Sequence, residues 1–135
     1  MKKAEGTFSI VSWNESTARE RADQKTTRAT VDYTSEGGIN GHLFVEYVMF
    51  YSEFDPEDVH AGVADFTGTI WFVGEIGGLK GSFGALDLGK YGAGEVKSEF
   101  EIVPNSGRGD LKGITGTGNY SAGKDGMKIK LNYEL

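Results

Sequence analysis

"MKIKLNYEL", residues 127–135, decides the class of fold. Met127, Ile129, Leu131 and Tyr133 fall on one parity, and Lys128, Lys130, Asn132 and Glu134 on the other. Successive side chains of an extended chain point to opposite sides, so this repeat of two marks a strand with one buried face. "VKSEFEIV", residues 96–103, repeats it, with Val96, Phe100 and Ile102 opposed to Lys97, Glu99 and Glu101. The same rule, carried outward, predicts strands over 5–14, 26–36, 39–51, 61–74, 79–88, 94–103, 111–121 and 127–134. Their separators are turn material: "SEGG" at 35–38, "GGLKG" at 77–81, "YGAG" at 91–94, "PNSGRGD" at 104–110 and "AGKDG" at 122–126. No long segment with a 3.6-residue repeat competes. "TARERADQK", 17–25, has Thr17 and Glu20 at capping-box spacing and reads either as a short exposed helix or as a solvated loop.

Short links between eight strands imply an antiparallel meander, and closing it removes the exposed edges that would pair with other chains. The expected fold is therefore all-β, one domain over residues 1–135, built as a closed eight-stranded antiparallel meander barrel of calycin-like architecture, with a sandwich as the second choice. Eight strands leave an interior that side chains fill or that holds one small ligand. "HLFVEYVMFY", 42–51, and "FTGTIWFV", 66–73, are apolar on both parities. Whichever set lines the interior, the other needs a cover. A second copy of the chain is the expected one, making a homo-oligomer; residues 15–25 lying across the face are the alternative.

Charge narrows the partners. Fourteen Lys and Arg stand against twenty Asp and Glu, a net charge of -6 with no basic cluster, which argues against a nucleic-acid partner. No apolar run reaches membrane-spanning length. The start, "MKKAEGTFSIVSWNE", lacks a signal-type apolar run, and the expected location is cytoplasmic. With no cysteine there is neither a thiolate nucleophile nor a cysteine zinc site.

Four segments carry a resemblance: "GTFSIVSW" (6–13), "EYVMFY" (46–51), "GGLKGSF" (77–83) and "VPNSGRGDLKGITGTG" (103–118). Together they resemble a bacterial family known as domain of unknown function 3224. The resemblance implies a closed eight-stranded meander barrel like that of plant allene oxide cyclase. It implies no activity, and no site residue of the cyclase maps onto this chain.

Carboxylates are the main candidates for acid/base work, because no serine sits in a nucleophile motif. Glu46, Asp65 and Glu101 each fall inside a predicted strand amid apolar neighbours. Inside a barrel such a group would be desolvated and its pKa raised. The competing reading for Glu46 is a rim or interface carboxylate paired with a base; for Glu101 it is an exterior charged face. Trp13, Tyr47, Tyr51, Trp71 and Phe72 are the candidate ligand wall, against an ordinary aromatic core. No metal or cofactor is expected: His42 and His60 lie in different segments without a third ligand, and Asp55, Glu57, Asp58 and His60 lack the EF-hand spacing. "NSGRGDLKGITGTG", 105–118, has no helix behind its glycines for a dinucleotide and no phosphate-loop lysine, so it reads as a corner and a bent strand. A small apolar or aromatic ligand in the interior is the first functional expectation. A carboxylate-dependent isomerase, cyclase or hydrolase is the second, and a structural protein with a filled barrel the third.

Overall fold

Period-two alternation gives nine strands in the computed structural model, which describes residues 1–58 and 61–135. They are β1 (Lys2–Arg21), β2 (Gln24–Gly37), β3 (Ile39–Asp55), β4 (Asp58–Ile76), β5 (Leu79–Gly92), β6 (Glu95–Ile102), β7 (Arg108–Gly109), β8 (Thr115–Gly123) and β9 (Gly126–Glu134). Every pairing is antiparallel. Each of the first five strands pairs with its successor, β6 passes to β8 and β8 to β9, and β9 returns to β1, so eight strands close a ring. The two-residue β7 lies outside it, against Gly81 and Ser82 of β5. Among the described residues no helix is long and apolar enough to cross a membrane.

Two expectations need correction. Residues 17–25 are neither helix nor loop: β1 and β2 stay paired to Arg21↔Gln24 and turn at Ala22, whose φ is 55°. Pairing with β2 gives this segment backbone partners across the hairpin in place of helical ones, and its polar side chains stand exposed. The strand expected at 111–121 begins only at Thr115. Before it, residues 103–114 fold as a connection whose Leu111 and Ile114 are fully buried. With Ile39 and Ile76 they plug one end of the ring.

Side-chain direction on β3 is settled by packing. Leu43, Val45, Tyr47 and Met49 point inward, opposite Phe44, Glu46, Val48 and Phe50, which are exposed. Phe44, Val48, Phe50, Trp71, Leu86 and Leu88 thus form an apolar outer face across β3, β4 and β5, with Trp71 64% and Leu88 70% exposed. Inside, glycines are covered by rings from the paired strand. Phe66 lies over Gly89 and Phe100 over Gly118, each pair directly opposite in register. The glycine-rich 113–118 segment therefore opens no void, because Phe100 fills the space beside Gly118.

Strand length positions the site. β1 to β4 run 20, 14, 17 and 19 residues, while β6, β8 and β9 run 8, 9 and 9. β1 meets β9 only from Lys2 to Thr7, so the long strands overshoot the short ones at the end away from the Leu111 plug. That overshoot forms the walls of a cavity.

Candidate functional site

A one-residue bulge decides what the cavity contains. Ile10 pairs with Tyr33 and Ser12 with Asp32, leaving Val11 as an extra residue in β1. Strict alternation from Phe8 and Ile10 would turn Trp13 and Glu15 outward; the extra residue reverses the parity, and Trp13, Glu15 and Thr17 pair with the inward Val31, Ala29 and Thr27.

The cavity, about 670 Å³ and open at one end, is walled by Trp13, Glu15, Tyr47, Tyr51, Phe66 and Tyr91, among others. The Trp13 and Tyr47 rings lie 5.9 Å apart, and Phe66 stands edge-on to Tyr47 at 5.0 Å. Glu15 is held by three donors. Trp13 Nε1–H donates to one carboxylate oxygen at 2.9 Å; Thr27 Oγ1 at 2.7 Å and the Tyr51 hydroxyl at 2.8 Å donate to the other. Burial and the neighbouring Glu15 raise the Tyr51 pKa, so that hydroxyl keeps its proton. At the mouth, the Lys25 ammonium lies 5.1 Å from the Tyr51 ring centre and 4.5 Å from that of Phe54. Both distances suit a cation over an aromatic face.

Below this wall runs a chain of buried hydroxyls. Tyr33 and Tyr47, both cavity-lining, are joined at 3.0 Å, and Tyr47 meets the Tyr120 hydroxyl at 2.8 Å. Tyr120 donates to Oδ2 of Asp87, and Ser98 to Oδ1. Asp87 is 1% exposed and takes part in none of the ion pairs among the described residues. Burial raises its pKa, against the opposing pull of the Ser98, Tyr120 and Leu88 hydrogen bonds. Burial also pushes Tyr33 up to about 12 and raises Tyr47 and Tyr120 further.

The structure separates the residues singled out from sequence. Trp13, Tyr47 and Tyr51 come together on the cavity wall. Phe72 points inward but belongs to the filled core, fully buried 5.1 Å from Phe83. Trp71 stands on the outer face, because it alternates with Phe72. None of the three carboxylates is interior. Glu46 is exposed and accepts from Thr30 Oγ1 at 2.8 Å, Asp65 is exposed 3.7 Å from Lys90 Nζ, and Glu101 lies on the outer face opposite Ile102. Each shares its strand's exterior parity, so the desolvation on which its candidacy rested is missing. Asp87 takes the buried position instead, while Glu15, though exposed, faces the open cavity. Asp87 was legible in "GALDLGK", where it shares a parity with Phe83 and Ala85. Glu15 carried no such signal, since the Val11 bulge inverts its parity. His42 is exposed and stacked on Phe44, while His60 lies outside the described residues. Among the described residues no three His, Cys, Asp or Glu converge as metal ligands.

The sequence profile of the family described as "Protein of unknown function (DUF3224)" matches residues 4–135, nearly the whole chain. The chain belongs to the DUF3224 family. A solved DUF3224 protein of unknown function from Shewanella oneidensis MR-1 is similar in fold, with a TM-score of 0.74 at 22% identity, covering 100% of this chain and 98% of that one. No curated protein matches. The similarity of fold thus spans all of this chain and nearly all of the other.

Proposed function

We propose that this DUF3224 protein is a small-molecule-binding barrel whose ligand, apolar or aromatic, enters the cavity between Trp13, Tyr47 and Tyr51. The observation that carries the reading is the cavity itself. Its volume of about 670 Å³ falls within the range of small-ligand sites, and its wall joins aromatic faces to one fixed carboxylate, Glu15. Such a wall supplies contact area through its rings and orientation through its polar group. With 2-naphthol as a probe, calorimetry is expected to give one binding site. Trp13→Ala weakens it about tenfold through the lost ring contacts, and deletion of Val11, which turns Trp13 and Glu15 outward, weakens it at least as much. Undiminished binding in both variants would exclude the cavity as the site.

The exposed face of Phe44, Val48, Phe50, Trp71, Leu86 and Leu88 supports a second copy as its cover, giving a homo-oligomer. Sedimentation is expected to show a mass above that of one chain, falling to the single-chain mass on Trp71→Glu. A wild-type protein that sediments as one chain would remove this part of the reading.

A further inference from the structure

Each link between the tyrosines can run in either direction, since either hydroxyl can be the donor in Tyr33–Tyr47 and in Tyr47–Tyr120. The state of Asp87 chooses between them. An ionised carboxylate only accepts. Tyr120 then donates to Asp87, Tyr47 to Tyr120 and Tyr33 to Tyr47, so the chain meets the cavity with a lone pair. A proton on Oδ2 reverses the order: Asp87 donates to Tyr120, Tyr120 to Tyr47 and Tyr47 to Tyr33, whose own proton is freed toward the cavity. Nothing is lost in the exchange. One proton enters at the cavity end, each hydroxyl hands its own onward, and Asp87 keeps one. Ser98 tolerates both states, because its hydroxyl has the Leu88 carbonyl 3.1 Å away as a second acceptor.

We propose that Asp87, Tyr120, Tyr47 and Tyr33 form a reversible hydrogen-bond relay that sets whether the cavity offers a proton or a lone pair to the oxygen of a bound aromatic ketone or phenol. This rests on the cavity as the ligand site. The Trp13, Thr27 and Tyr51 protons already point at Glu15, which leaves the relay to answer a ligand oxygen deeper in the site. A ketone oxygen accepts only and needs the donor state. A phenol serves either state.

The raised Asp87 pKa fixes the sign. The donor state is present at low pH and is lost as the pH rises through the raised pKa of Asp87, which lies above the ordinary carboxylate value of 3.8. Facing Asp87 are Ser98 of β6 and Tyr120 of β8, with Tyr47 of β3 and Tyr33 of β2 behind; Lys90, Lys97, Glu99 and Glu101 face the exterior. Glu15, Lys25, Asp55, Asp58 and Tyr91 line the cavity and act on both kinds of ligand.

The test compares 2-acetonaphthone with 2-naphthol, two probes of one ring system, by calorimetry from about pH 4 to about pH 8. The ratio of their affinities cancels the shared cavity charges. Expected is an about tenfold fall in ketone affinity relative to naphthol as the pH rises, the value of one hydrogen bond. In Asp87→Asn, whose amide keeps a donor toward Tyr120, the ratio stays at its low-pH value; in Tyr120→Phe, which cuts the chain and leaves Ser98 on Asp87, it no longer changes with pH. An unchanging ratio in the wild type, or a wild-type profile in Tyr120→Phe, overturns the relay. A second readout needs no ligand: the Tyr33 ring 13Cζ shift follows the Asp87 13Cγ titration in the wild type and loses that step in Tyr120→Phe. Failure of both probes to bind with this coupling present sinks the cavity reading alone; absence of the coupling overturns the relay.

Discussion

Phe72→Ala is expected to lower the unfolding free energy by about 3–5 kcal/mol while leaving 2-naphthol affinity unchanged in the folded fraction. Phe72 is fully buried, packs on Phe83 at 5.1 Å and lies outside the cavity wall. Alanine removes a ring's contacts and leaves a void that paired strands on both sides cannot collapse around. Trp13→Ala should do the reverse. Trp13 is 41% exposed and stands on the overshooting part of β1, so its loss costs affinity with little stability. Urea unfolding of the two variants beside naphthol calorimetry checks the contrast. Equal losses of stability and affinity in both would mean that core and site are not separate.

Gly118→Ala is expected to cost about 2–3 kcal/mol, a large penalty for one methyl group. A Cβ there would stand 2.2 Å from the Phe100 ring and 2.5 Å from the Lys130 carbonyl oxygen. The ring is buried beside Tyr120, and the carbonyl belongs to the β8–β9 ladder. Gly84→Ala is the control. Its Cβ would meet nothing closer than 3.8 Å, and thermal unfolding should place it within about 0.5 kcal/mol of the wild type. A mild Gly118→Ala would show that Phe100 is loosely seated.

Alternation made most of this architecture legible. "MKIKLNYEL" and "VKSEFEIV" became β9 and β6 with the faces they advertise, and glycine-marked turns set most of the strand count. Period-two reading failed where the period is broken. At Val11 one unpaired residue inverts the parity of β1 as far as Thr17, where a second shift follows, a local event that leaves no mark in the run "SIVSWNES". Trp13 was found by its residue type, and Glu15, two residues on and equally inward, was not. In "HLFVEYVMFY" both parities are apolar, so only packing against β2 and β4 shows that Tyr47 turns in and Glu46 out. Asp87 shows the opposite case. Its parity was regular, but its partners Ser98 and Tyr120 arrive from β6 and β8, and a three-strand constellation has no linear signature.

The central claim, an interior ligand site walled by Trp13, is tested most directly by the chain's own two indoles. Trp13 faces the cavity and Trp71 the exterior, so a 15N–1H spectrum carries one indole signal from each side of the ring. On titration with 2-naphthol the Trp13 Nε1–H signal should move saturably while that of Trp71 stays fixed. Movement of Trp71 alone, or of neither at concentrations where calorimetry shows binding, would contradict the account.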